Sequence, residues 1–383
     1  MSGSYLTDER RMIQEQARDF TIREVLPVAN KLDPEKGEIP MALREKMAEM
    51  GYFGILVDKK YGGLGLGVFE YCLVTEELAR GWMGVASIIA RANNVPEMEK
   101  LSEERRAEIM PWVARGEWLG AFAMSEPNAG SDISNSSCRA RRDGDSWVIH
   151  GNKYWCTFAH GSDYRTVIAR TSAPPPGKQH KGCRLSSSLK SVGSSQRGCV
   201  ALRSRRLGIT AGRLGSWRSM SAVAPQTLFL VRRAKVSTSC RRDLRRLGRT
   251  RRHVLSVWPA ARWRIPSATP ENASRSTTQS HALRRSGSRS RKWRLRLEPP
   301  ASYSVCTQIN SGGRCDLEAS MTMLYATDMA ERVPSEAMQI HDGARSTTLH
   351  AVERHWRDAR LTKIFKGTSE IQLRIILDRL LGK

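Results

Sequence analysis

The excess positive charge of this chain is confined to one stretch, and that confinement limits what the chain can fold into. Residues 182–302 carry 28 of the 63 lysines and arginines but three of the 38 acids, Asp243, Glu271 and Glu298, which leaves 35 of each sign elsewhere. Outside that segment the protein is neutral. Inside it, arginine and serine recur with neither the period of a strand nor that of a helix, as in Ser286–Arg291 (SGSRSR). Such a composition buries too little apolar surface to offset chain entropy, and like charges repel one another in any compact state. The segment is therefore expected to be disordered, and the fold to be built from residues 1–181 and 303–383.

These flanks carry clear patterns. Ile13, Ala17 and Phe20 keep helical spacing, and the first 120 residues read as helical. Lys60–Gly67 (KYGGLGLG) has G-x-G spacing, but no strand precedes it, so it predicts a loop between helices rather than a dinucleotide site. Helical spacing resumes at Cys72–Arg80. From Trp118 to Arg170, β-prone runs at Trp147–Ile149, Lys153–Thr157 and Thr166–Ala169 are separated by glycine-containing turn signals, which predicts a compact antiparallel domain. Helical patterning returns at Tyr303 and covers 314–340 and 351–383. Leu373, Ile376, Leu377, Leu380 and Leu381 share one helix face, and Ser369–Gln372 (SEIQ) fits a capping box. The expected fold is α+β, with a helical domain at 1–120, a β domain at 121–230 and a helical bundle at 231–383.

Several classes are disfavoured. Eight cysteines without a C-x-x-C pair and eight histidines without an H-x-x-x-H argue against disulfide scaffolding and structural zinc. No apolar run approaches the roughly 18 residues of a membrane span. The first twenty residues, with Asp8, Glu9, Glu15 and Asp19, lack the apolar core of a signal peptide. The expectation is a cytoplasmic protein that does not engage membranes. The basic segment has arginines but no groove-reading motif and little aromatic interleaving, so nucleic-acid binding ranks last among the readings considered.

Four stretches in order resemble acyl-CoA dehydrogenases: Phe122–Asp132 (FAMSEPNAGSD), Asn152–Thr157 (NKYWCT), Glu331–Gly343 (ERVPSEAMQIHDG) and Ala351–Gln372 (AVERHWRDARLTKIFKGTSEIQ). The resemblance covers residues 5–181 and 303–383. It implies FAD as cofactor and α,β-dehydrogenation of an acyl-CoA thioester, in which a carboxylate removes the α-proton and the β-hydride passes to the flavin. It also implies electron-transferring flavoprotein as electron acceptor and a homotetramer. By position, Phe122, Met124, Ser125, Gly130 and Ser131 would hold the flavin, with Ser131 also near the CoA arm. Trp155, Cys156 and Thr157 would line the strand beside the flavin ring. Gln339 and Gly343 resemble flavin contacts made from a neighbouring subunit, and Thr368 and Glu370 would face the FAD phosphates at a helix start.

Two positions depart from the family pattern. Lys366 stands where the family's usual glutamate base lies in E-G-T, and an ammonium with an ordinary pKa of about 10.4 is no base at neutral pH. A single base change, GAR to AAR, separates the two. Asp342–Ser346 (DGARS) replaces a glycine-rich turn. The basic segment itself becomes family-like when its codons are read two nucleotides on. Leu230–Ser239 then permits G-E-E-G-K-G-F-Y-F, Val257–Ser267 permits L-A-R-G-A-L-E-D-S, Pro270–Ser280 permits R-E-R-V-x-F-x-x-P-I, and Gly212–Ser221 permits K-T-W-E-L-A-F-D-V. The four share one offset. The sequence therefore reads as a dehydrogenase whose middle is translated out of frame, with an inactive product of such a gene as the alternative.

Overall fold

The computed structural model describes residues 5–35, 37–93, 102–143, 146–158, 162–174, 176, 183–189, 199–202, 228–237, 300–341, 348, 350–365 and 367–382. The chain divides into two compact units, one of Met1–Pro34, Val68–Met83 and His253–Lys383, the other of Glu35–Gly67 and Gly84–Arg252.

The first unit joins the two ends of the sequence. Helix α1 (Asp8–Phe20) starts on Thr7, whose hydroxyl accepts from the Arg10 amide, and runs through a π-turn at Thr21–Val25 into α2 (Leu26–Leu32). The third helix of the chain, α3 (Met41–Glu49), belongs to the other unit. The fourth, α4 (Val68–Gly81), packs on α1 and is buried over most of its length. Gly81 closes the contact: a Cβ there would lie 2.7 Å from Thr21 Cγ2 and 2.9 Å from Val25 Cγ1.

Charged groups latch the C-terminal helices onto this N-terminal hairpin. The C-terminal elements of the unit are Pro300–Asn310, Asp316–His341, Ala351–Thr362 and Ser369–Leu380. Arg357, 2% exposed, donates to Asp33 (2.5 Å) and Glu353 (2.8 Å), and Arg354 donates to Asn30 Oδ1 and to the Gly81 carbonyl. Arg10 pairs with Glu70 at 2.7 Å and lies over the Phe69 ring, which packs on Tyr303 at 4.9 Å between centroids. The charges of AVERHWRDAR are thus structural: Arg354, His355, Arg357 and Asp358 are all buried.

In the second unit, α3 and the turn after it precede α5 (Met83–Ala92) and α6 (Glu103–Ala114). Lys60–Gly67 lies between helices, opening in the 3-10 turn Lys59–Tyr61 and continuing as a loop, as its lack of a preceding strand predicts. Gly62 and Gly65 take positive φ, and the amides of Leu64, Gly65 and Leu66 donate to the carbonyls of Gly54, Val57 and Ile55. Amides already committed to protein carbonyls offer nothing to a phosphate.

The β part is one seven-stranded sheet. In chain order its strands are β1 (Gly120–Ala123), β2 (Arg139–Asp143), β3 (Ser146–Lys153), β4 (Tyr164–Arg170), β5 (Cys183–Leu189), β6 (Cys199–Leu202) and β7 (Leu228–Ser237). The order across the sheet is β1-β4-β2-β3-β7-β6, with β5 also on β4. Four pairings are antiparallel, while β1 and β2 each run parallel to β4.

Three expectations change. Strands β5, β6 and β7 fall inside the segment expected to be disordered. Strand pairing satisfies backbone groups whatever the side chains, and β3 and β4 present edges that need partners. Residues 300–302 begin the helix Pro300–Asn310, and the rest of the segment lies outside the described residues. Second, the cap of the last helix is Thr368, one residue before the predicted Ser369, because Gly367 at φ +106 turns the chain there. Third, Leu373, Leu377, Leu380 and Leu381 are between 53 and 69% exposed, so periodicity located the apolar face without telling what covers it.

Two predictions follow from the first unit. Arg357→Ala leaves Asp33 buried without its cation and should cost about 3–5 kcal/mol, read as lost hydrogen-exchange protection in Ala351–Thr362. Burial, with Arg354, Arg357 and Arg80 nearby, pushes His355 down to about 3. Its folded-state value lies below the unfolded one. Its contribution is therefore complete above about pH 6.5 and is lost as pH falls, by about 2 kcal/mol at pH 5. Thermal unfolding of His355→Gln should show a flatter profile between pH 7 and 5 than the parent chain.

Candidate functional site

The two β-domain motifs that carry the resemblance meet in the second unit. Strand β1 delivers Phe122, and the chain then turns through Met124 and Ser125 to Glu126. Glu126 and Ala129 bond to each other in both directions (2.8 and 3.2 Å), closing a two-residue turn at Pro127 and Asn128.

Beneath that turn lies a buried ion pair. Lys153, at the end of β3 and 0% exposed, donates to Glu126 Oε1 at 2.6 Å and to the Met124 carbonyl at 2.9 Å. Glu126 also accepts from the Cys138 amide (3.0 Å), the Ser137 amide (2.5 Å) and the Ser137 hydroxyl (2.7 Å). The next residue along, Tyr154, donates its amide to the Ser125 carbonyl at 2.7 Å. One lysine and one glutamate thus tie together the 122–132 loop, the start of β2 and the end of β3. Burial alone would raise the Glu126 carboxyl, but the bonds from Lys153 and Ser137 outweigh it and hold the group below the usual carboxylate range.

The chain leaves the sheet at Lys153, earlier than the β-prone run Lys153–Thr157 suggests. Trp155 sits at φ +59 and Phe158 at φ +71, a left-handed conformation that bulky residues adopt at a cost of order 1–3 kcal/mol. A strong strand former is therefore held in a non-strand conformation beside the anchored loop. Trp155 and Thr157 are half-buried. The Cys156 side chain is fully enclosed, and burial pushes its thiol up to about 11 although Arg165, Arg91 and Lys153 pull the other way. Any ligand contact by Cys156 runs through its backbone, and a protonated thiol is no nucleophile.

Within the loop, Phe122, Met124 and Ser125 are half-buried, while Gly130 and Ser131 are exposed. Asp132 accepts from the side chains of Ser134 and Asn135 and so fixes the chain after Ser131.

The remaining candidates belong to the first unit. Gln339 is exposed near the end of Asp316–His341. Thr368 caps the last helix by accepting from the Ile371 amide at 3.4 Å. The Thr368 hydroxyl beside Glu370 holds that exposed carboxyl below its ordinary range. Lys366 and Gly343 lie outside the described residues. Sequence reasoning missed Glu126 and Lys153, although both stand inside the quoted motifs. The available signal was an acid inside the first motif, Glu126, and a base inside the second, Lys153, although the first motif also ends on the acid Asp132.

The comparisons agree with this geometry. Family models for the acyl-CoA dehydrogenase N-terminal, middle and C-terminal domains match residues 7–117, 121–212 and 300–381. The middle match extends beyond residue 181, where the sequence resemblance breaks off. The chain is 28% identical to a (2S)-methylsuccinyl-CoA dehydrogenase of Cereibacter sphaeroides, over 99% of this chain and 71% of that protein. Among solved structures, an acyl-CoA dehydrogenase from Geobacillus kaustophilus superposes with a TM-score of 0.79 at 25% identity, covering 98% of this chain and 99% of the other. A glutaryl-CoA dehydrogenase from Mycobacterium smegmatis in complex with FADH2 gives 0.83 at 20% identity, over 100% and 97%.

A helical N-terminal part, a β domain and a C-terminal helical bundle, with the loop and strand motifs joined by a buried ion pair, place the chain in the flavin-dependent acyl-CoA oxidoreductases. It belongs to the acyl-CoA dehydrogenase family, whose members use FAD. Among the described residues, no helix is long and apolar enough to cross a membrane.

The buried pair generates a direct test. Lys153→Met leaves the Glu126 carboxylate buried and unneutralised, and should cost about 3–5 kcal/mol of local stability. The measurement is hydrogen exchange at the Ser137 and Cys138 amides, which bond to that carboxylate. Because the folded-state value of Glu126 is depressed, its stabilisation is present above about pH 4.3 and is lost as pH falls through the folded value.

Proposed function

We propose that the gene specifies an FAD-dependent dehydrogenase of an acyl-CoA thioester that passes electrons to an electron-transferring flavoprotein, and that the chain as written is disabled for that reaction. The observation that carries the first half is the anchored loop–strand junction ending in left-handed Trp155. A ring held at a conformational cost beside a fixed loop is a wall prepared for a flat ligand. FAD, when bound, supplies the hydride acceptor.

The chain's own residues supply the rest of this reading. Phe122, Met124, Ser125, Gly130 and Ser131 hold the flavin from the loop, with Ser131 also towards the CoA arm. Trp155, Cys156 and Thr157 border the ring, and Gln339, Gly343, Thr368 and Glu370 serve the remainder of the cofactor. The 1–120, 121–230 and 231–383 organisation belongs to the same reading. The exposed leucine face of Ser369–Leu380 supports assembly into a homotetramer, since a contiguous apolar face on a soluble helix calls for a partner surface.

Disablement rests on two features of the sequence. Lys366 occupies the position of the base, and a protonated ammonium accepts no α-proton. Residues 182–302 carry the composition of a shifted frame, which removes the apolar faces of the bundle and the arginine of R-E-R-V-x-F.

Anaerobic mixing with butyryl-CoA tests both halves through bleaching of flavin absorbance. A chain with the frame of 182–302 restored should bind FAD. Lys366→Glu in that chain should speed bleaching by about 10²–10⁴, the usual contribution of a positioned base. Equal bleaching by the chain as written would overturn the disablement, and failure of the restored chain to take up FAD would overturn the family chemistry proposed for it.

A further inference from the structure

Arg170 closes strand β4 and is half-buried. Its guanidinium donates from Nη2 to the Ser134 carbonyl at 2.8 Å and from Nε to the Ser136 carbonyl at 3.2 Å, and its backbone amide donates to the Cys138 carbonyl at 2.7 Å. One residue thus takes three alternate carbonyls of the segment that joins Ser131 to strand β2. We infer that Arg170 is a positioning residue: through this segment it holds Gly130 and Ser131 where the loop presents them to the flavin and the CoA arm. The inference rests on the flavin reading proposed above.

The link from Arg170 to Ser131 is continuous. Asp132 accepts from the side chains of Ser134 and Asn135, and its carbonyl accepts from the Asn135 amide at 3.3 Å. The Ser136 amide and hydroxyl both donate to the Ile133 carbonyl, at 3.1 and 2.8 Å. The 3-10 turn Ile133–Asn135 is therefore braced internally, and Arg170 ties the braced turn to β4. Upstream, the loop is fixed by the Glu126–Ala129 turn and by Lys153. Only Gly130 and Ser131, both exposed, lie between the two anchored turns. So short a span held at both ends has little freedom left to lose when a ligand binds, which is what preorganised contact requires.

Backbone pairing alone does not provide the downstream anchor. Among the described residues, β2 and β4 share one register pair, Arg139 with Arg170. Before Arg139 the chain lies off the sheet, and the Arg170 side chain continues the seam by two further carbonyls. A guanidinium suits this task because its planar fork carries several N–H groups in fixed directions, so one side chain meets two carbonyls at once. Lysine offers a single charged centre, and an apolar side chain offers no donor.

The test has two arms. In the full chain as written, Arg170→Met should speed hydrogen exchange at the Ser136 amide by about tenfold or more, the effect of one charge-assisted hydrogen bond. Exchange at the Tyr154 amide, which reports the Lys153 side of the loop, should stay unchanged. In the chain with the frame of 182–302 restored, FAD titration should give Arg170→Met a dissociation constant about tenfold above the parent's, with Arg170→Lys between the two. A residue that merely stabilises the sheet would lower the unfolding temperature without changing that constant for the folded protein. Should Arg170→Met fail to fold, Arg170→Lys decides by the same comparisons. The inference is overturned if Ser136 exchange is unchanged, if Ser136 and Tyr154 lose protection together, or if the parent binds FAD and the variants bind it equally tightly. If the restored parent takes up no FAD, the flavin reading itself fails and the positioning role fails with it.

Discussion

The Glu126–Lys153 pair is the interaction on which the candidate site depends. Removing two charges from water costs several kcal/mol each, and a pair repays that only when its remaining hydrogen-bonding capacity is also satisfied. Here both oxygens of Glu126 are shared among Lys153, Ser137 and Cys138, and Lys153 also reaches the Met124 carbonyl. A hydrophobic pair of the same volume would pack equally well but would not choose among partners. The charged pair selects one register between the loop and the end of β3, which in turn sets where Trp155 leaves the sheet. The same anchor fixes the neighbouring turn at Pro127 and Asn128, which Glu126 closes with Ala129.

The first unit uses buried charge in a comparable way over a longer sequence span. Arg357 and Arg354 reach from Ala351–Thr362 to Asp33, Asn30 and Gly81, more than 270 residues away in sequence. Such pairings close a very long loop, and closure entropy grows only slowly with length. A fold that gathers its two ends can therefore keep its N-terminal and C-terminal helices together even when the sequence between them has lost its pattern. These contacts are made by residues on either side of the segment with 28 basic residues.

Much of this was legible in the sequence, for physical reasons that also mark where legibility stops. Helical periodicity located α1, α4 and the C-terminal helices because burial of one face imposes it. The glycine turn at Lys60–Gly67 was readable because no strand precedes it. Trp155 was not: a tryptophan prefers strands, yet here it takes a left-handed conformation two residues after the Lys153 anchor. The pair itself was hidden because a lysine and a glutamate in short motifs look like solvated surface until burial is known. Strands β5 to β7 were missed because backbone pairing leaves no trace in side-chain pattern. Lys366 and Gly343, the positions that bear on activity and on the flavin turn, remain sequence arguments because they lie outside the described residues.

The most direct test of the central claim is a double-mutant cycle on Glu126 and Lys153, with Glu126→Leu, Lys153→Met and the pair together, read by hydrogen exchange at the Tyr154 amide, which joins the strand end to the Ser125 carbonyl of the loop. A buried pair that organises the loop predicts that each single change is strongly destabilising and that the double change recovers part of the loss, with a coupling of about 2–3 kcal/mol. Additivity within about 0.5 kcal/mol would contradict the account, since it would mean that the two side chains act independently and that something else joins the loop to the strand.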